Sequence, residues 1–132
     1  MKKKIDIALP GAAPLESPRS HATAYENLIF VSGQVARDLM TGENKLGTIE
    51  EETEYTLRNI EIVLKQAGSS LDCVLKTTVF LTNKEDFAGM NRTYRKFFPG
   101  DKPARSTIVC GLAGVHRVEI EAIAFKPPLK DQ

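Results

Sequence analysis

The sequence predicts one α+β domain in which a mostly antiparallel sheet carries two helices on one face. Three observations lead to this prediction. The chain has 132 residues, which is the size of a single domain. Two segments have helical periodicity, and β-branched, apolar segments stand before, between and after them. The predicted order is β-β-β-α-β-α-β-β, and the uncovered face of the sheet must meet solvent or another subunit.

The first three predicted strands occupy residues 3–7, 20–25 and 28–32. The segment 28–32, Leu-Ile-Phe-Val-Ser, is rich in residues that favour strands, whereas 3–7 is the weakest of the three. Residues 9–18 contain Pro, Ala and Gly and are predicted to form a loop.

The first helix is predicted to begin after Thr48 and to end at Gly68. Thr48 followed by Glu51 is a capping box, in which each side chain satisfies a free N–H group at the helix start. Gly68 suits the left-handed conformation that ends many helices. Apolar residues recur between them at three- and four-residue steps, from Ile49 to Ala67.

The second half of the chain predicts a strand, a helix and two further strands. Residues 73–81 form an apolar, β-branched segment. Asn83 is a good N-cap for a helix that Pro99 ends. That helix carries one apolar stripe: Phe87, Met90, Tyr94 and Phe97. Residues 106–112 and 117–125 are predicted to pair as a hairpin.

Composition excludes several classes of protein. Hydrophobic residues make up 42% and charged residues 27% of the chain, and the formal net charge is +1, which gives no general attraction to nucleic acid or to an anionic membrane. No apolar run approaches a membrane helix. Two cysteines, Cys73 and Cys110, are predicted to be free thiols of a cytoplasmic protein. Residues 1–132 are predicted to be one domain with a flexible tail at 126–132, where two prolines interrupt strand pairing.

Two kinds of charged side chain are candidates for chemistry. Arg105 follows Lys-Pro-Ala and opens a strand, where its guanidinium fork suits a carboxylate; a solvated surface arginine is the alternative. Glu119 and Glu121 share one strand face with Ile123 and Phe125 by the period of two. A carboxyl group on such a face is a candidate general base, and two exposed glutamates are the alternative.

Polar residues within the elements are weaker candidates. Asn91 lies within the apolar stripe of the second helix, where it is either a ligand-binding amide or a structural one. Ser32 and Gly33 end a strand, and Gly33 would let a ligand approach the backbone unless the segment is a plain turn. His21 and His116 have no metal-ligand spacing with either cysteine, so no metal site is predicted.

Several motifs, in order along the chain, resemble one known family. They are Val-Ser-Gly-Gln at 31–34, Ala-Gly-Ser-Ser-Leu-Asp at 67–72, Lys-Thr-Thr-Val-Phe-Leu-Thr at 76–82, Asp-Phe-Ala-Gly-Met-Asn at 86–91, Lys-Pro-Ala-Arg-Ser-Thr at 102–107 and Val-Glu-Ile-Glu-Ala-Ile-Ala at 118–124. Together they resemble the Rid family of reactive intermediate deaminases, also called YjgF. The resemblance spans about residues 15–125.

The resemblance implies a chorismate-mutase-like fold and a homotrimer with clefts between subunits. It implies that Arg105 binds a substrate carboxylate and that Glu119 positions or activates water. Ser32, Gly33 and Asn91 would line the cleft. The implied reaction is hydrolysis of enamines and imines, such as 2-aminoacrylate or 2-iminobutanoate, to 2-keto acids and ammonia. No cofactor is implied, and the expected partner is a small imino or keto acid, with no nucleic acid and no membrane.

Two positions depart from the family pattern. Arg19 stands where active deaminases usually have tyrosine, so it either adds a second positive charge to the cleft or points to solvent. Thr107 stands where many members have cysteine, which excludes a cysteine nucleophile there. Arg19 and Thr107 are both expected among the substrate-binding residues. A carboxylate-binding protein without turnover is the main alternative function, and a ribonuclease or translation inhibitor is a further one.

Overall fold

The computed structural model describes residues 4–128 and has two helices on one face of a six-stranded sheet. The element order is the predicted β-β-β-α-β-α-β-β. The elements are β1 Ile5–Ile7, β2 Ala22–Tyr25, β3 Leu28–Gln34, α1 Ile49–Gln66, β4 Val74–Leu81, α2 Phe87–Phe97, β5 Ala104–Val109 and β6 Val118–Phe125. No helix within residues 4–128 is long and apolar enough to cross a membrane.

The strands lie in the order β1-β2-β3-β6-β4-β5. Every neighbouring pair is antiparallel except β4 and β5, which are parallel. The predicted hairpin between residues 106–112 and 117–125 is therefore wrong, because β6 lies between β3 and β4 and does not pair with β5. The physical reason is the α2 crossover, which returns β5 parallel to β4 and at the sheet edge.

Helix α1 begins and ends as its sequence predicts. The N–H of Glu51 donates to Thr48 Oγ1 at 3.1 Å, and the N–H of Thr48 donates to Glu51 Oε1 at 2.9 Å. Both halves of the capping box are thus present. Gly68 has a φ of +81°, the left-handed conformation that glycine adopts without strain. The second predicted cap, Asn83, accepts from the N–H of Glu85 at 2.9 Å and starts a short 3₁₀ turn before α2.

The core lies between the helices and one face of the sheet. The alternation along β6 is complete: the four residues that face the helices are buried, and those between them are half-buried or exposed. The buried four are Val118, Ile120, Ala122 and Ala124. The opposite face has no covering element among residues 4–128, and Phe30 on β3 is 43% exposed there. We call this second surface the open face.

A buried glutamate joins α1 to the start of β6. Glu52 is 1% exposed. Its two carboxylate oxygens accept from the N–H of Gly47 at 3.2 Å and from the N–H of Arg117 at 2.9 Å. The Arg117 side chain adds its Nε at 3.9 Å. This contact fixes the position of Arg117, the residue that directly precedes β6.

A register shift interrupts the pairing of β3 with β6 between Val31 and Gln34. Such a bulge changes the direction in which side chains and backbone groups point. At the other end of β6, the N–H of Lys126 still donates to Asn27 O at 2.7 Å, so the main chain leaves the sheet only at Pro127. The rest of the predicted tail, 129–132, lies outside the described residues.

Candidate functional site

Arg105 lies on a platform of apolar and aromatic side chains from α2. It is the second residue of β5 and pairs in register with Thr77, which is buried under the helices. The guanidinium carbon lies 4.9 Å from the centre of the Tyr94 ring and 5.8 Å from that of Phe87. One guanidinium nitrogen lies 3.9 Å from the sulfur of Met90. Ring faces attract a cation, so this platform holds the guanidinium in place.

The Arg105 guanidinium has no anionic partner in its own chain. Among residues 4–128, no carboxylate lies within ion-pair distance of it. A half-buried arginine is ordinarily paired, because partial removal from water is costly for an unpaired charge. The arrangement therefore leaves the fork free for an external anion, and carboxylate is the group whose geometry matches it.

Tyr94 is fixed by a buried hydrogen bond. Its hydroxyl lies 2.7 Å from Thr77 Oγ1. Burial raises the pKa of Tyr94, while the bond to Thr77 and the charge of Arg105 act in the opposite direction. The phenol stays neutral at physiological pH, so it serves the site as a ring surface and not as a charge.

Glu119 lies on the open face, against the bulge of β3. Its carboxylate packs directly on Gly33, and the carboxyl carbon lies only 2.9 Å from the place where a Cβ at position 33 would be. Glycine is therefore required for the carboxylate to occupy this place. The side chain of Glu119 is half-buried and makes no hydrogen bond within residues 4–128.

The environment of Glu119 favours its protonated form. Burial raises the pKa of the carboxyl group above its ordinary value, and the nearby charge of Glu121 acts in the same direction. Arg19 and His116 partly oppose this shift. A carboxyl group with a raised pKa can both accept and return a proton under mild conditions, which is what a general acid–base catalyst must do.

Ser32 holds the loop of Arg19 beside Glu119. Its hydroxyl donates to Ser20 O at 2.6 Å, and its N–H donates to His21 O at 3.0 Å. The hydroxyl proton is thus already used inside the chain. Arg19 itself is exposed, and its Nε donates to Ser17 Oγ at 3.1 Å.

The other two predicted residues lie on the helix side of the sheet, as Arg105 does. Thr107 is half-buried on β5 and pairs in register with the buried Val79, which places it on the side of the helices. Asn91 follows Met90 on α2, is half-buried, and makes no side-chain hydrogen bond within residues 4–128.

One subunit therefore separates the predicted site residues into two groups. Arg105, Thr107 and Asn91 lie on the helix side of the sheet, whereas Glu119 and Gly33 lie on the open face. Arg19 and Ser32 belong with the second group, through the charge interaction and hydrogen bonds described above.

Three residues of the Arg105 platform were not predicted to have a functional role. The sequence predicts Phe87, Met90 and Tyr94 only as members of the apolar stripe of the second helix. Phe87 is in fact 44% exposed, and its ring lies beside a charge. Two sequence features together could have indicated this platform. The stripe on the helix has an aromatic residue at each end, and an arginine follows a proline at the start of the next strand. No group of three potential metal-binding side chains occurs in the part of the chain that the structure describes.

Comparison with known proteins places the chain in a family. The model of the family described as endoribonuclease L-PSP matches residues 11–126. A RutC family protein of Pyrococcus abyssi is 40% identical over 127 residues, covering 96% of this chain and 99% of its own. The 2-iminobutanoate/2-iminopropanoate deaminase of Mus musculus is 40% identical over 112 residues, covering 84% of this chain and 83% of its own.

Solved structures share the fold. The crystal structure of an endoribonuclease-like protein from Thermotoga maritima superposes with a TM-score of 0.87 at 40% identity, covering 97% of this chain and 100% of that one. Family model, sequence relatives and fold agree. The chain belongs to the endoribonuclease L-PSP family, which is the YjgF/Rid family.

Proposed function

We propose that the protein hydrolyses small 2-imino acids and their enamine tautomers to 2-keto acids and ammonia. The observation that carries this proposal is the free Arg105 fork, held on the Tyr94 ring at 4.9 Å with no carboxylate of its own chain beside it. Two parallel charge-assisted hydrogen bonds would bind the substrate carboxylate there. The mouse relative, whose name describes a deaminase of such imines, supports this choice of substrate.

Glu119 supplies the proton transfers in this mechanism. Its carboxylate takes a proton from a water molecule as the water oxygen bonds to the imine carbon, and the C=N double bond becomes a single bond. The same carboxyl group returns that proton to the nitrogen. Glu119 then takes the proton of the new hydroxyl group and passes it to the nitrogen, so that the C–N bond breaks, ammonia leaves, the keto group forms and the carboxylate is restored. The imine carbon is electrophilic already, so the reaction needs no cofactor.

A complete site requires two copies of the chain. Arg105 and Glu119 lie on opposite faces of one sheet, so a small substrate cannot contact both within one subunit. If the open face of one copy packs beside the β5 edge of another, Glu119 of the first and Arg105 of the second share one cleft. The exposed Phe30 and the half-buried Ile123 on the open face favour such packing. We propose that three copies assemble as a ring. Each of its interfaces then supplies one complete site, and the trimer is the smallest such ring after the dimer.

The test is a coupled assay of imine hydrolysis. A serine/threonine dehydratase acts on serine or threonine and releases 2-aminoacrylate or 2-iminobutanoate, and keto-acid formation is followed with and without this protein. We expect acceleration by the wild type and a loss of about 10²- to 10⁴-fold in Arg105→Ala, the size of two charge-assisted hydrogen bonds. Arg95→Ala removes an exposed arginine of α2 and is the matched control.

Three outcomes would decide between the functions. Full activity of a folded Arg105→Ala protein would overturn the role of Arg105. Saturable keto-acid binding without acceleration would identify the protein as a carboxylate-binding member of the family. Sedimentation of the wild type as a monomer that is nevertheless active would overturn the shared cleft.

A further inference from the structure

The Glu119 side of the site carries a positive charge that a monocarboxylate substrate does not use. No carboxylate among residues 4–128 lies within ion-pair distance of Arg19. Its only side-chain hydrogen bond within those residues is the one from Nε to Ser17, so the two terminal nitrogens of the fork are free. Arg19 is nevertheless close enough to Glu119 to lower the pKa of that carboxyl group.

The main chain holds Arg19 near the reacting position. Ser20 and His21, which follow it directly, are bonded through their carbonyl oxygens to Ser32. Ser32 precedes Gly33, on which the Glu119 carboxylate packs. Arg19 and Gly33 also line the same small recess, of about 40 Å³. Although the Arg19 side chain is exposed, its backbone is therefore tied to the bulge that positions Glu119.

The other ionisable groups of this recess do not place a positive charge beside Glu119. His21 is 8% exposed, and burial followed by the charge of Arg19 lowers its pKa, so the imidazole is neutral. Arg37 lies against its own turn, where its Nε donates to Gly42 O at 2.9 Å, and its charge is not among those that act on Glu119. Asp38 uses one carboxylate oxygen for two backbone N–H groups of the same turn. Arg19 is thus the arginine of this recess whose charge acts on Glu119.

We propose, building on the imine hydrolysis proposed above, that the preferred substrate is a 2-imino dicarboxylate. Its 1-carboxylate binds Arg105 of one copy, and its second carboxylate binds Arg19 of the copy that supplies Glu119. The second carboxylate takes no part in the reaction: water adds to the imine carbon, ammonia leaves, and a 2-keto dicarboxylate is the product. The reaction that supplies such a substrate is oxidation of an acidic amino acid at its α-carbon.

The test compares two imines of equal chain length. L-glutamate oxidase makes the dicarboxylate imine from L-glutamate, and L-amino-acid oxidase makes the monocarboxylate imine from L-norvaline. Catalase removes peroxide, and semicarbazide traps the imine that has not been hydrolysed. The measured quantity is the ratio of kcat/KM for the dicarboxylate imine to that for the monocarboxylate imine. We expect this ratio to exceed 1 in the wild type and to fall about tenfold in Arg19→Gln, the lower end for a hydrogen bond between charged groups.

Two further variants distinguish the effect of the Arg19 fork from the effect of net charge. Arg19→Lys keeps the charge without the fork and should recover part of the ratio. Arg58→Gln removes one positive charge from the exposed surface of α1 and should leave the ratio unchanged. An equal fall in Arg58→Gln would overturn the proposal, because net charge would then explain the effect. An unchanged ratio in Arg19→Gln, with both imines still hydrolysed, would overturn this proposal alone. If the wild type accelerated neither imine, the proposed function would fail and this inference with it.

Discussion

Two glutamates near the start of β6 are withdrawn from water, and their surroundings are opposite. Glu52 is 1% exposed, and backbone N–H groups donate to both of its oxygens. Glu119 is half-buried, and within residues 4–128 no group donates a hydrogen bond to its carboxylate. Burial raises the pKa of Glu119.

The difference separates a structural carboxylate from the one that we propose to be catalytic. Backbone N–H groups occupy both oxygens of Glu52, so this side chain is a fixed acceptor that joins two segments. Glu119 keeps its lone pairs free for a water molecule or a proton. Burial without hydrogen-bond donors, and not burial alone, is therefore what makes Glu119 the candidate catalytic carboxyl group.

The largest expected effect is on Glu119. Glu119→Gln keeps the shape of the side chain and removes its basicity, so we expect kcat to fall by about 10²- to 10⁴-fold. A raised folded-state pKa means that the carboxyl group stabilises the fold below its ordinary pKa and loses that contribution as pH rises through the raised value. At pH 7 the variant should therefore be as stable as the wild type or more so, by less than about 1 kcal/mol. Urea denaturation beside the coupled assay measures both; a large loss of stability would contradict the assignment.

The same comparison predicts a pH profile. If ionised Glu119 is the base, kcat rises with pH through an inflection above about 4.3, the ordinary glutamate value. Glu121 raises the pKa of Glu119 by its charge. Glu121→Gln should therefore move the inflection to lower pH, and a shift upward would contradict this reading.

Glu52 is expected to show the opposite behaviour. Glu52→Ala leaves the N–H groups of Gly47 and Arg117 without their acceptor, which costs about 3 kcal/mol of unfolding free energy. Glu54→Ala removes an exposed glutamate of the same helix and should change stability by less than about 0.5 kcal/mol. Urea denaturation of both variants measures the difference, and equal stabilities would show that the Glu52 contact contributes nothing.

The smallest effect is expected for Gly33→Ala, which tests the position of the Glu119 carboxylate. In Gly33→Ala the new Cβ displaces the end of the Glu119 side chain, which is flexible and moves at little cost to the fold. A displacement of about 1 Å at a reacting group lowers kcat by up to about 10²-fold. Gly100→Ala, where a Cβ has no neighbour within 4 Å, is the control. Loss of stability without loss of kcat would contradict the close approach.

Local features of the fold were predictable from the sequence, and strand neighbours were not. The capping box at Thr48 and the left-handed Gly68 depend on a few adjacent residues, and both predictions are confirmed. The hairpin at 106–112 and 117–125 was wrong because two short apolar strands contain no information on which partner binds better. The strand–helix–strand order of β4, α2 and β5 already indicated a parallel pair.

The site shows the same limit. The motifs indicated Arg105 and Glu119, yet the separation of these two residues by the sheet follows only from the register of β5 and β6. No sequence pattern predicts the burial of Glu52, because a glutamate in an acidic first turn normally faces solvent. Its burial depends on the loop at Gly47 and on Arg117, 65 residues further along the chain.

The place of β6 in the sheet has a consequence for the order of folding. β6 is last in sequence but lies between β3 and β4, and neither of those strands pairs with the other. Until residues 118–125 have left the ribosome, the nascent chain consists of two partial sheets, each with an unpaired edge. When β6 pairs with both β3 and β4, it brings together segments that are far apart in the sequence. Such non-local pairing is a slow step in folding. The strand that carries Glu119 is thus also the one that joins the two partial sheets, so this carboxylate reaches its place against Gly33 only when they have joined.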